Sequence, residues 1–524
     1  MRARFLSALF LVAAFASHAE EDSRQVLFFD LWKWDHWHNL ELCQGEPEWV
    51  RECFYSDPSF PGERMYFPSV WHDEEAGEYR LVYSIKWSPF TLMGARSADG
   101  IDWKPLPREA SDEVPEGERI APHHLLTVEG GSGSGVYHDP NATDGIRFRI
   151  FSRLDGEAVH ERALADPHHR WHAIAKEEGP KRYFGEGITI VSRDGVDWEV
   201  KAGDHWDWLA GDWFPEPPVF VFWDERRKRH VMTARPGWGD RRQVIRESAD
   251  LKNWTEPELL LQPDSLDTSG PLAFYGLPVH PVGNGAGFAG LLWTFHNANS
   301  RPVGSFNQFF GPMDAELVYS YDGRRFFRTS RKPFLRRNPI PEPGCIQVRP
   351  CSIVEVDDEI YLYSQGNLGA HGRERSEQRA NPERQHATLL LHRLRRDGWM
   401  FVRPKGDWAR LQSKPFALFE SAITLNVDAS VGEVRFQLTD VKSRPLPGRT
   451  FDDCVPLRGA DGVAVPLRWK GETTEAITNR AIRLEIEFRQ ANLYAIGMDH
   501  HFLDAQDLWL LEDGKTIPAK RFDF

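Results

Sequence analysis

Four residues stand six positions ahead of a recurring turn sequence: Thr91, Glu186, Arg242 and Asp314. Two acids and an arginine at one repeated position form a polar pocket if the repeats converge. Asp212 and Glu216 come near the start of an apolar run, and Arg349 holds a comparable place later in the chain. Two carboxyl groups across a glycosidic bond can cleave it. One donates a proton to the leaving oxygen, while the other stays charged as nucleophile or as base for a water. A desolvated Glu, with its proton held more tightly, suits the donor. Glu216 is therefore the expected general acid and Asp314 the expected base or nucleophile. Glu186 competes for either role. Arg242 and Arg349 are expected to bind substrate hydroxyls, carboxylate or sulfate. Asp30, Trp213, Tyr275 and His296 are the other expected substrate contacts. Trp32, Trp34 and Trp37, in the same stretch as Asp30 and Asp35, offer flat faces on which sugar CH groups can pack. Each of these acids also fits a structural ion pair, and each Trp also fits a core.

The turn itself shows what must position these groups. Ser97-Ala98-Asp99-Gly100, Ser192-Arg193-Asp194-Gly195 and Ser320-Tyr321-Asp322-Gly323 are three copies. Ser248-Ala249-Asp250-Leu251 is a variant without Gly, and Asp397-Gly398-Trp399 is a degenerate fifth. Asp-Gly supplies the positive φ of a tight hairpin, and Ser and Asp side chains bond local amides. Alternating apolar runs precede each copy, such as Tyr79–Ser84 and His230–Ala234, with Pro- or Gly-led runs further upstream. Repeats of this length and texture predict an all-β fold, a five-bladed β-propeller over 65–415. Its blades are expected near 65–106, 123–201, 208–261, 273–335 and 344–415. The segment 20–64 is expected to close or cap the ring. Gly130–Gly135 precedes a strand rather than a helix, so it predicts close backbone approach and not a phosphate cradle. After Phe416 the turn disappears while alternation persists, which predicts a C-terminal β-sandwich over 416–524.

Composition narrows the class. The chain has 524 residues, 20 Trp, 42 Gly and 36 Pro, which suits several β domains with many turns. Its formal charge of -14 argues against nucleic acid as a partner. Arg2 and Arg4 precede an apolar stretch, Phe5–Phe15, too short to span a bilayer, and Ser17-His18-Ala19 supplies a small-residue cleavage site. Residues 1–19 thus read as a signal peptide, and the expected location is secreted or periplasmic, with no membrane partner. Export permits disulfides. Cys43 with Cys53 and Cys345 with Cys351 are the local candidates, leaving Cys454. No zinc spacing is present. His168–His172 and Asp499-His500-His501 are the metal-like clusters, each more simply read as structural. No organic cofactor is expected; a structural Ca²⁺ in the funnel is allowed for, although no calcium-loop spacing calls for it.

The residues Phe274–Val279, Gly290-Leu291-Leu292-Trp293, Asp314–Ser320, Phe451-Asp452-Asp453-Cys454 and Leu467–Gly471 carry a resemblance. They look like those of the five-bladed propeller glycoside hydrolases, the group of invertases, levanases, arabinanases and β-xylosidases. They resemble most closely the secreted bacterial invertase-like proteins with a C-terminal sandwich. The resemblance implies a secreted hydrolase that removes terminal sugars from an extracellular polysaccharide or oligosaccharide. The chain lacks the Asn-Asp-Pro-Asn opening and the Arg-Asp-Pro of true invertases, so fructose release is not implied. A non-catalytic glycan-binding protein is one alternative. A sialidase-like enzyme is another, but it needs three arginines on one carboxylate, and Arg242 and Arg349 supply two.

Overall fold

The computed structural model describes residues 24–60, 64–86, 90–106, 121–128, 131–155, 157–168, 172–177, 179, 185–201, 216–236, 241–267, 272–296, 311–371, 380, 387–471 and 477–517. Strands dominate throughout, and two compact units result. One takes 46–280 and 289–394. The other takes 1–45, 281–288 and 395–524.

The first unit holds five antiparallel groups of strands among the described residues, the fourth and fifth joined into one sheet by a parallel bridge between Met313 and Gln347. The first runs Tyr66–Asp73, Glu78–Lys86, Phe90–Ser97 and Lys104–Pro105, with His124–Val128 also paired to the third strand. The second is Gly131–Ser132 and Val136–His138, Phe148–Asp155, Gly185–Ser192 and Trp198–Val200. The third is Glu216–Asp224, Arg229–Arg235, Gln243–Ser248 and Glu258–Leu261. The fourth is Leu272–Phe274 with Val279–Val282, then Gly287–His296, Met313–Ser320 and Phe327–Leu335. The fifth is Gln347–Val356, Glu359–Asn367, Ala387–Arg395 and, as outer strand, Glu48–Tyr55.

Hydrogen bonds between successive sheets close these five into a ring. Ser69 Oγ accepts from the Val136 amide at 2.9 Å, and Ser134 Oγ from the Val219 amide at 3.1 Å. Thr233 Oγ1 donates to the Leu277 carbonyl at 2.5 Å, and Trp293 Nε1 to the Pro350 carbonyl at 2.7 Å. Ser352 Oγ accepts from the Val70 amide at 2.9 Å and joins the fifth sheet to the first. The fold is therefore a β-propeller. Its inner strands meet around Phe67, Phe220, Tyr275, Trp293 and Cys351, which form one buried cluster. A Cβ on Gly135 would sit 3.3 Å from the Phe220 ring, so this strand approaches its neighbour as closely as the glycine-rich run suggests.

The repeated turns form as their residues dictate. In the first, Ser97 Oγ accepts from the Gly100 amide at 2.9 Å, and Asp99 Oδ1 from the amides of Ile101 and Asp102, both at 2.9 Å. The turns at Ser192 and Ser320 repeat this pattern. Gly195 has φ of 78°, and a Cβ there would also meet the Trp71 ring at 2.6 Å, so two constraints select glycine. Leu251 takes the left-handed conformation in the variant turn. Partial burial pushes Asp322 up, but the amides of Arg325 and Arg324 outweigh it and hold the carboxyl near 2.

Two strand assignments differ from the expected blade limits. His124–Val128 pairs with the first sheet and not the second. The outer strand of the fifth sheet comes from Glu48–Tyr55, whereas Met400–Pro404 and Ala409–Ser413 lie in the other unit. The segment 20–64 thus supplies one strand to the propeller, while Arg24–Leu27, Trp34–His38 and Leu40–Gln44 go to the second unit.

That second unit is built on a 25-residue strand, Phe416–Asp440. Its first half pairs antiparallel with Asn492–Phe502 and Leu457–Pro466, and its second half lies against Ile482–Arg489 with Glu433 opposite Arg489 and Asp440 opposite Ile482, an antiparallel register. The register shifts between Ala429 and Glu433. Gly432 lies there, where a Cβ would fall 2.1 Å from the Gln490 carbonyl oxygen. Both halves bury alternate residues (Leu425 and Val427, then Val434, Phe436 and Leu438) in one apolar core. No helix among the described residues is long and apolar enough to cross a membrane.

All five cysteines are thiols rather than disulfides, which corrects the expected local pairs. Cys43 and Cys53 belong to different units, and the Cys351 thiol instead bonds the Arg349 carbonyl at 3.3 Å. Cys454 is buried, as expected. Burial pushes the Cys53 and Cys351 thiols up to about 12. Only thiolates alkylate readily. Native protein treated with iodoacetamide at pH 8 should therefore keep both unmodified by mass spectrometry, whereas unfolded, unreduced protein should label at all five.

Candidate active site

In each antiparallel sheet, the first and third strands begin where the second ends. Strand register therefore gathers the expected site positions at one end of the propeller sheets. Glu186 opposes Leu154, and Glu216, the first residue of its strand, opposes Arg235. His296 ends its strand opposite Leu272, while Asp314 and Arg349 stand near the starts of theirs. The backbones of Glu186 and Glu216 are thus placed, but their side chains lie outside the described residues, as does Trp213 entirely.

Asp314 is buried, and both its carboxylate oxygens are engaged. Thr294 Oγ1 donates to Oδ1 at 2.5 Å, and His296 Nε2 lies 3.0 Å from the same oxygen. A carboxylate only accepts, so His296 must carry its proton on Nε2. The Arg337 guanidinium is 3.7 Å from Oδ2. Such a carboxylate suits a base, a nucleophile or a charge stabiliser better than a proton donor. Thr294 and His296 converge on it because alternate residues of a strand share a face.

A wall of rings and guanidinium groups stands at the same end. Tyr275 stacks on Trp293 at 6.2 Å and an interplanar angle of 9°. The Arg235 guanidinium lies 4.1 Å from the Tyr275 ring centre. Arg241 lies 5.2 Å from that ring and 5.3 Å from Phe295. His371 Nε2 is 2.8 Å from the Tyr275 hydroxyl. Arg235 also donates to the Pro217 carbonyl, next to Glu216. A Cβ on Gly276 would meet Pro218 and Trp293 at 2.9 Å, so glycine is required where these strands touch. Arg349 is buried and donates to Gln347 Oε1. Gln347 in turn donates to the Gly369 carbonyl.

Two expected contacts have other partners. Arg242, just ahead of the strand Gln243–Ser248, donates to Gln262 Oε1 at 3.3 Å in a solvent-exposed pairing. Asp30 belongs to the second unit, where its Oδ1 accepts from the Trp32 amide at 2.9 Å and closes a local turn. Asp35 pairs there with Arg483 at 2.5 Å. Sequence reasoning passed over Arg235, Arg241, Thr294, Arg337 and His371. Thr294 was within reach, being two residues before His296; the others depend on contacts between sheets.

Among the described residues, no group of three His, Cys, Asp or Glu is placed to hold a metal. His501 pairs with buried Asp507 at 3.0 Å, where Asp507 completes the capping box of the helix Ala505–Glu512. His172 Nδ1 is 2.7 Å from the Ala163 carbonyl. Both clusters brace local structure.

No family model matches the chain, and no curated protein does. Solved structures do. An N-acetylgalactosamine deacetylase from F. plautii, in complex with blood group B trisaccharide, is 14% identical at a TM-score of 0.41, over 68% of this chain and 95% of that one. The GH32 β-fructofuranosidase BmSUC1 of Bombyx mori is 11% identical at 0.40, over 86% and 94%. The α-L-arabinofuranosidase PaAbf62A of Podospora anserina, in complex with cellotriose, is 9% identical at 0.39, over 67% and 97%. Likeness at these values transfers no residue role and no substrate.

Proposed function

We propose that the chain is a secreted glycoside hydrolase that removes terminal sugars from an extracellular polysaccharide or oligosaccharide. Glu216 is the general acid and Asp314 the base or nucleophile. Tyr275, Arg235, Arg349 and His296 bind the sugar, and the reaction needs no organic cofactor. The observation that carries this reading is the anchored Asp314 carboxylate, at the same end of the strands as the Tyr275–Arg235 wall and the start of the strand that Glu216 opens. Such a site offers one fixed charge, flat apolar faces for sugar CH groups and planar donors for hydroxyls. The test is a polysaccharide screen with reducing-end detection. Turnover of at least one glycan by the wild-type chain, lost in Glu216→Gln, supports the reading. Equal, nonzero release by both proteins sinks it.

A second reading is glycan binding without turnover. It is favoured by the same Asp314, whose Oδ1 already takes two hydrogen bonds within the protein and whose Oδ2 lies 3.7 Å from Arg337. Retention of a glycan without product across the screen selects it.

A further inference from the structure

The second unit carries a pocket of its own, with a volume of about 240 Å³, lined by His36, Trp37, His38, Arg410 and Gln412. It lies on Trp34–His38, the edge strand of the sheet, and on its neighbour Ala409–Ser413. Residues directly opposed on paired antiparallel strands share a face. Register therefore lays out two rows of side chains on one face of the sheet, the first of them largely buried. His36, Gln412, Glu485 and Gln437 form one; His38, Arg410, Glu487 and Arg435 form the other.

These rows are fixed from beneath. Glu485 is only 1% exposed. Its carboxylate accepts from Gln412 Nε2 at 2.5 Å, from Gln437 Nε2 at 2.9 Å and from Arg410. Ser443 Oγ takes a further bond from Gln412 at 3.0 Å. The guanidinium of Arg410 and the carboxamide of Gln412 are thus held in place before any ligand arrives, which lowers the entropy cost of binding. Trp37, opposite Leu411 on the alternate face of this edge strand, is 51% exposed and completes the lining of the pocket. Trp34, three residues earlier, instead stacks on Phe28 at 5.4 Å in the core. Trp32 is also exposed, but the Lys414 ammonium covers its ring at 2.7 Å.

We infer that this pocket is a saccharide-binding site separate from the propeller. An open indole face packs against the CH face of a sugar ring. The planar Arg410, Gln412 and imidazole groups match pairs of neighbouring hydroxyls. The charges of Arg410 and Arg435 are balanced by Glu485 and Glu487, so an uncharged sugar suits the site better than an anion. The volume is below the roughly 300 Å³ where pockets for drug-sized ligands begin, which limits the occupant to a sugar unit or the end of a chain.

The test follows the Trp37 indole N–H resonance in the ¹⁵N spectrum of the full chain, identified by its loss in Trp37→Ala. Titrated separately with galactose, xylose, arabinose, fructose and rhamnose into the tens of millimolar, it should move saturably with at least one. The shift should persist in Glu216→Gln, which separates this site from the proposed hydrolysis. His38→Ala should weaken the affinity about tenfold, which is about 1.4 kcal/mol. No saturable shift with any of the five sugars overturns the inference. So does a shift that a chelator abolishes, since that assigns His36 and His38 to a metal ion.

Discussion

Glu216→Gln should lower kcat on a natural glycosidic linkage by about 10²–10⁴-fold, the range that a positioned general acid supplies. The size of the loss should depend on the leaving group. A natural sugar alcohol leaves poorly and needs the proton that a glutamine cannot give. A dinitrophenolate leaves as a stable anion and needs none. On a dinitrophenyl glycoside of the responsive sugar, Glu216→Gln should therefore stay within a few-fold of wild type in the bond-breaking step. Asp314→Asn should behave in the opposite way. It removes a charge that Thr294, His296 and Arg337 are arranged to hold, and a better leaving group does not replace that charge. Its loss should be similar on both substrates. Glu186→Gln resolves the competition between the two glutamates: the leaving-group pattern belongs to whichever residue donates the proton. Steady-state and single-turnover rates on the two substrate classes make this measurement. If Asp314→Asn shows the leaving-group dependence and Glu216→Gln does not, the two roles are reversed.

What could be read beforehand follows from the range of the interactions. The Ser-x-Asp-Gly turns were readable because they are made by residues two or three positions apart, as with Asp99 and the amides of Ile101 and Asp102. The position six residues ahead of each turn falls at or just before the start of one strand in each repeat, so it brings Asp314, Arg242 and the backbone of Glu186 to equivalent places. What each side chain meets there, such as Gln262 for Arg242, depends on other parts of the chain. The outer strand of the fifth sheet was not readable. Thr388 Oγ1 bonds the Tyr55 carbonyl across 333 residues, and nothing local in Glu48–Tyr55 names that partner. The same holds for Arg24–Leu27, Trp34–His38 and Leu40–Gln44, whose alternation is consistent with either unit. The Arg235–Tyr275–His371 grouping was hidden for a related reason. It draws on three different sheets, so it exists only once the ring has closed.

Asp57→Ala should be among the most destabilising single changes in the propeller, by about 2–5 kcal/mol, the cost of leaving two buried polar groups without their acceptor. Asp57 follows Glu48–Tyr55, the strand that completes the fifth sheet, and precedes the first strand of the first sheet. It therefore sits where the two ends of the ring are joined. Its Oδ2 accepts from the Tyr83 hydroxyl at 2.5 Å and lies 2.6 Å from His123 Nε2, and Oδ1 accepts from the Ser59 amide at 2.9 Å. The Tyr83 hydroxyl lies 3.2 Å from that of Tyr55. Alanine would leave His123 and Tyr83 buried with a lost acceptor, and water has little access, since His123 is 1% exposed. Burial alone would push Asp57 up, but the bonds from His123, Tyr83 and Ser59 outweigh it and hold the carboxyl below its usual range. The folded value is thus below the unfolded one, which is about 3.9. The stabilisation is fully present above that unfolded value and is lost as pH falls through the folded one. Urea melts of wild type and Asp57→Asn from pH 7 to pH 2.5 should show this. Asparagine keeps an acceptor but cannot ionise, so the gap between the two proteins should be widest at neutral pH and should close below pH 4. A gap that stays constant across that range would mean that Asp57 contributes shape and hydrogen bonding but no charge to the closure of the ring.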